Sequence, residues 1–133
     1  MLDLTWNETL SVGHPVLDAQ HRQLMDTMSE LHGTLTQGGA IARAAEVLDV
    51  LLEQARHHFA TEEELMRESG YQGLDLHKST HARMLREIEA FAHEAHNSPA
   101  TFRSLDVTGF VAHWIVSHIR GDDVMYRDSM SRL

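Results

Sequence analysis

Five histidines and two carboxylates, set at helical spacing over four amphipathic segments, constrain this chain more than any other feature. His21 stands alone in the first segment, His58 and Glu62 lie four apart in the second, and His77 and His81 lie four apart in the third. In the fourth, His118 precedes Asp123 by five residues. Residues four apart on an α-helix share a face, about one turn apart. Each such pair can therefore offer two donors to one metal ion or to two adjacent ions. Imidazoles and carboxylates facing one another inside a bundle are costly to bury without a cation. The set looks like the ligand shell of a two-metal site.

The segments carrying these residues have helical period. Residues 1–17 contain Trp6, Val12, Gly13 and Pro15 without it and read as an extended arm, with Asp18 as the expected N-cap of the first helix. Leu17, Leu24, Met25, Met28, Leu31 and Leu35 then recur at three- and four-residue intervals, giving a helix over about 18–37 that ends at Gly38-Gly39. A second stripe, from Val47 through Leu51, Ala55 and Phe59 to Met66, predicts a helix over about 41–68, closed by the run Ser69-Gly70-Tyr71-Gln72-Gly73. The third helix is expected over about 74–95, with Met84, Leu85, Ile88 and Phe91 facing in. The fourth is expected over about 99–130, with Ser98 able to cap and Pro99 suited to the first turn. Short connections between long helices imply antiparallel neighbours. The predicted fold is all-α, an antiparallel up-down-up-down four-helix bundle with an extended N-terminal arm, in a single domain spanning 1–133.

Composition agrees. A chain of 133 residues can bury its own core, and only 8 Gly and 2 Pro argue for few loops. A net charge of −9 argues against nucleic acid and against an anionic membrane surface. No segment is apolar enough over sufficient length to span a bilayer. The opening residues show neither a basic n-region nor an apolar h-region, so a cytoplasmic location is expected. Without cysteine there is no thiolate ligand or Cys nucleophile.

Simpler readings compete for each residue alone. A single His on an apolar face is usually a core histidine bonded to backbone, and His58/Glu62 by itself could be a helical ion pair contributing about 0.2–0.5 kcal/mol. The combination, with at least one donor on every helix, favours the metal. Register narrows the set. His57 has Thr61 four residues on, so only His58 has a carboxylate at that spacing. Glu63 and Glu64 point about 100° and 200° away from Glu62 and read as a solvated face. His14, His32, His57, His93, His96 and His113 lack the pattern and read as surface residues or outer partners. Met25, Met28, Met66, Met84 and Met125 read as core filling. If both carboxylates and one solvent oxygen bridge two ions, five histidines divide three to two and leave one open coordination position. Imidazole with carboxylate and no thiolate suits iron. An open position in an apolar pocket is a place for dioxygen, for a small anion such as azide, or for nitric oxide.

The chain resembles the hemerythrins, and specifically the bacterial ones, over nearly its whole length. The resemblance rests on Trp6-Asn7-Glu8 with Leu10-Ser11-Val12-Gly13, on Asp18-Ala19-Gln20-His21, and on His58-Phe59 with Glu62-Glu63. It continues through His77-Lys78-Ser79-Thr80-His81, Trp114-Ile115-Val116-Ser117-His118-Ile119 and Asp123-Val124-Met125-Tyr126. It implies a non-haem centre of two irons per chain, joined by an oxo or hydroxo bridge, that takes O2 reversibly as its ligand. By the same analogy His77, His81 and His118 serve the saturated iron, His21 and His58 the open one, and Glu62 and Asp123 bridge. Leu24, Phe59, Trp114, Ile115 and Ile119 match the positions lining the apolar O2 pocket. His14 departs from the relatives, which more often have an aliphatic residue there.

Periodicity and resemblance disagree in the fourth segment. On a regular α-helix Asp122, not Asp123, shares a face with His118. The family pattern selects Asp123, and a local π-like widening would bring residues five apart into line. The expected function is carriage, storage or delivery of O2 rather than catalysis, because the shell is richer in His than the carboxylate-rich di-iron enzymes with their Glu-x-x-His pairs. The alternatives are an O2 or redox sensor acting through a protein partner, and a di-iron enzyme reducing peroxide or nitric oxide or oxidising iron. No linker or output domain follows the fourth segment within these 133 residues, which favours the carrier.

Overall fold

A computed structural model of the chain describes residues 6, 10–37, 40–114 and 118–119. Helix α1 spans Pro15–Thr36, α2 Ile41–Ser69 and α3 Leu74–Asn97. A 3-10 turn at Pro99–Thr101 precedes α4 at Ser104–His113. Trp114, His118 and Ile119 have the wider π-helical backbone. No strand occurs among the described residues. α2 lies between α1 and α3, and α4 packs on α1. The architecture is the all-α four-helix bundle that the apolar period predicts.

The stripes explain the packing. α1 buries Leu17, His21, Leu24, Met25, Met28 and Leu31, α2 buries Ala55, His58, Phe59, Glu62 and Met66, and α3 buries His77, His81, Met84 and Ile88. The polar residues occupy the places in the period that a core Leu would otherwise take. They form a layer between two apolar regions. One is the main core, from Leu31 and Ala44 to Phe59 and Trp114. The other is a small plug of Val12, Leu17 and Met66, with Leu65, Tyr71 and Leu74 against it.

Two turns close the plug end. Gly70 caps α2 in the left-handed conformation, at φ 72°, where a side chain would be strained. A Cβ on Gly73 would lie 2.6 Å from the Tyr71 ring, so glycine lets that ring fold back against the start of α3.

The second and third helices start where the sequence predicts, and the first and fourth do not. α1 begins at Pro15, not Asp18, with His14 extended as the N-cap. Proline's fixed φ suits the first helical position. Asp18 instead reaches back to the arm, accepting the Val12 N–H at 2.9 Å and the Ser11 hydroxyl at 2.6 Å. The fourth helix does not begin at Pro99. The 3-10 turn ends at Phe102, which is extended and packs against the main core, so α4 starts afresh at Ser104. Nor does the Ser98 side chain cap. Gly38 and Gly39, the expected stop of the first helix, lie outside the described residues, as does the fourth segment beyond Ile119.

Asp18 therefore pins the arm that carries Val12 into the plug. Asp18→Ala is expected to lower stability by about 1.5–3 kcal/mol, the usual contribution of hydrogen bonds to a charged group. Urea denaturation checks this, and Asp26→Ala, at an exposed position of the same helix, serves as the control.

Candidate metal centre

The polar layer is built around Glu62, which is fully buried. Its Oε2 lies 3.0 Å from His58 Nε2 and 3.4 Å from His21 Nε2, and its Oε1 lies 2.9 Å from His81 Nε2. The two carboxylate oxygens thus face different histidines. His21, His58 and Glu62 form one group with donor atoms all within 4.8 Å, and His77, His81 and His118 form a second. All six side chains are buried. Glu62, the one carboxylate buried among the described residues, stands at the boundary between the triads, with an oxygen toward each.

Outer partners fix the orientation of two imidazoles. His81 Nδ1 is 2.8 Å from Glu63 Oε2, and a carboxylate can only accept there. His58 Nδ1 is 2.7 Å from Gln20 Oε1. The Gln20 amide is oriented by its other end, which donates to Thr61 Oγ1 at 3.4 Å, and that hydroxyl donates to the His57 carbonyl. Both imidazoles therefore donate through Nδ1 and turn Nε2 toward Glu62. In a neutral ring that nitrogen bears a lone pair. A lone pair facing a carboxylate oxygen at hydrogen-bond distance is tolerable only with a proton or a metal cation between them. The donor set thus fits cations. Burial pushes the Glu62 carboxyl up, but the charge of His58 and hydrogen bonds from His21, His58 and His81 outweigh it and hold the group well below the usual carboxylate range.

The pocket residues of the sequence reading lie beside this layer. Leu24, Phe59, Trp114 and Ile119 are buried in one apolar cluster. The Phe59 ring stacks flat on His81, centroids 3.9 Å apart and planes within 3°, and meets Trp114 at 5.7 Å. A cavity of about 20 Å³ reaches Trp114 and His118 between Met84 and Phe110, room for roughly one water-sized molecule. Asp123, Asp122 and Ile115 lie outside the described residues.

Two functional contacts escaped the sequence reading. Glu63 is not simply part of a solvated face: it is 25% exposed and holds His81. Gln20 was passed over although it adjoins His21. The signal for both is adjacency. Each is one residue from a ligand candidate, hence about 100° around the helix, on the seam with the neighbouring helix. Among the other histidines, His57, His93, His96 and His113 are exposed, and His96 pairs with Asp49 at 2.7 Å.

Comparison with known proteins places the chain. The family model for the hemerythrin HHE cation binding domain matches residues 12–127. A bacteriohemerythrin of Pseudomonas aeruginosa is 34% identical over 137 aligned positions, covering 100% of this chain and 88% of that relative. A myohemerythrin of Theromyzon tessulatum is 26% identical, covering 94% and 92%. A crystal structure of wild-type hemerythrin superposes with a TM-score of 0.83 at 27% identity, covering 96% of this chain and 97% of that one. The chain belongs to the hemerythrin family, the O2-binding non-haem iron proteins.

Metal removal leaves Glu62 buried among imidazoles, so the metal-free protein is expected to melt at a lower temperature than the loaded one. Free metal at a hundred times its Kd adds about 2.7 kcal/mol. In the metal-free protein the stabilisation from a depressed Glu62 is present above the ordinary carboxylate range and is lost as pH falls through the depressed value. Acid titrations of metal-free parent and Glu62→Gln, followed by circular dichroism, should show a shallower acid limb in the variant.

Proposed function

We propose that this hemerythrin is a cytoplasmic O2 carrier or store that binds two irons per chain through His21, His58, Glu62, His77, His81, His118 and Asp123, with O2 as the ligand it takes up. The observation that carries the proposal is Glu62: one fully buried carboxylate with Oε2 toward His21 and His58 and Oε1 toward His81. A carboxylate so placed would bridge two ions, the His77–His81–His118 triad serving one and the His21–His58 pair the other. Asp123 enters from the family pattern, and the π-helical backbone at His118 and Ile119 supports the shift in register that it needs. When bound, the metals would supply reversible coordination of a small diatomic and the electrons that go with it.

The chain's own contribution is position and dryness. Gln20 and Glu63 aim the His58 and His81 rings. Leu24, one turn after His21, would wall the site with Phe59, Trp114, Ile115 and Ile119. The described members of that wall are buried together, and an apolar cavity holds water poorly. A binding role is favoured over turnover because the six described donors include five imidazoles and one carboxylate, whereas di-iron bundle enzymes draw on more carboxylate. Azide and nitric oxide would compete for the same position.

Iron analysis with optical spectra of reduced, oxygenated and oxidised protein tests the reading. Two irons per chain and a reversible oxygenation spectrum are expected, and saturation at one iron would overturn it. Asp123→Ala should abolish the two-iron spectrum while Asp122→Ala keeps it. Leu24→Glu should speed the loss of O2-binding capacity by bringing a carboxyl group into the dry wall. Leu24→Met, which nearly preserves volume and polarity, should change it little. Stopped-flow mixing of reduced protein with O2 compares the variants, and a Glu variant that keeps its capacity as long as the parent would remove Leu24 from the wall.

A further inference from the structure

His81 and His58 are held by outer partners of different charge. On the His77–His81–His118 side the Nδ1–H of His81 goes to the Glu63 carboxylate at 2.8 Å. On the His21–His58–Glu62 side the Nδ1–H of His58 goes to the neutral amide oxygen of Gln20 at 2.7 Å. The geometry is otherwise alike, since both rings face Glu62 through Nε2, at 2.9 and 3.0 Å. The difference lies in charge. A hydrogen bond to an ionised acceptor is about twice as strong as one between neutral groups, and a carboxylate behind a ligating imidazole raises the basicity of the nitrogen that faces the metal.

We propose that Glu63 and Gln20 are positioning residues that make the two halves of the centre electronically unequal, Glu63 making His81 the stronger donor and Gln20 leaving His58 the weaker. The inference rests on the two-iron reading above. Its consequence is a division of labour. The metal held by the His81 triad is the more tightly kept and the harder to reduce, because a stronger donor stabilises the higher oxidation state. The metal beside His58, next to the expected open position, is the more easily returned to the reduced form. The surroundings of each contact support the assignment. His81 is clamped between Glu63 and the flat face of Phe59, so its ring cannot turn to another acceptor. Gln20 is itself held by Thr61, so its oxygen stays toward His58.

Exchanging the charges tests this, because a packing defect would not change sign with charge. Iron-loaded parent, Glu63→Gln and Gln20→Glu are counted for iron and then titrated potentiometrically while the optical spectrum is followed. Glu63→Gln is expected to raise the reduction midpoint and Gln20→Glu to lower it. Glu64→Gln, at an exposed residue paired with Arg67, should leave it unmoved. In chelator competition, Glu63→Gln should weaken retention of one of the two metals by about 10- to 100-fold, the usual effect of removing such a partner. A Glu63→Gln protein that carries two irons and titrates at the parent's midpoint overturns the proposal, as do shifts of the same sign in both variants. If Glu63→Gln takes up fewer than two irons, Gln20→Glu alone decides, and a midpoint that is raised or unmoved overturns it. A parent that itself never carries two irons is the separate failure of the two-iron reading.

Discussion

The rest of the structure depends on one buried carboxylate. Glu62 lies on the core stripe of α2, between Ala55–Phe59 and Met66, where any apolar side chain would pack at no electrostatic cost. Moving an isolated carboxylate into such a place costs several kcal/mol even after relaxation. The bundle answers with imidazoles from α1, α2 and α3 at 2.9 to 3.4 Å. Each of those imidazoles is polar and buried in turn, so the requirement spreads. Two of them call on Gln20 and Glu63, and Gln20 calls on Thr61. The layer is thus a network in which removing one member leaves others unsatisfied, and cations at its centre would relieve all of them together.

The apolar parts follow from the same requirement. A polar layer open to water would need no cations, and its groups would be solvated. Here the main core closes it on one side and the Val12–Leu17–Met66 plug on the other. The plug depends on the arm ahead of α1, which carries Val12 into it. Asp18 binds Val12 and Ser11, Gly13 turns the chain at φ 77°, and Arg22 lies 4.0 Å above the Trp6 ring. Gly70 and Gly73 do the corresponding work between α2 and α3. The Tyr71 ring that Gly73 admits meets the His77 ring edge-on, centroids 5.8 Å apart, so this turn covers the layer on the His77 side.

Much of this was legible in the sequence, for a definite reason. Apolar period and the i, i+4 pairs both follow from 3.6 residues per turn, so helices, faces and the pairs His58/Glu62 and His77/His81 came from one regularity. What that regularity cannot express is the rotation of one helix against its neighbour. Glu63 lies about 100° from Glu62, which reads as solvent when α2 is considered alone. The seam with α3 carries His81 over that edge, and only the packed bundle reveals the contact. Gln20 was missed in the same way on the seam between α1 and α2. The start of α1 was misplaced because Asp18 suits an N-cap by residue type, while the backbone preference of Pro15 decided the matter and freed Asp18 to hold the arm. At Pro99 the local signals were right for a first turn, but Phe102 packs on the core in an extended conformation and divides the helix.

The end of α4 shows why a regular helix would not serve. Trp114 and Ile119 are five residues apart and both fully buried, with His118 buried between them. On an ideal α-helix, positions five apart differ by about 140°, so a Trp114 facing the core would carry Ile119 toward a flank. The π-helical backbone at Trp114, His118 and Ile119 moves residues five apart toward alignment. The apolar wall and the histidine can then share the bundle interior. The geometry that lets Trp114 and Ile119 face inward together is the one that the proposed i, i+5 pair of His118 and Asp123 would also require.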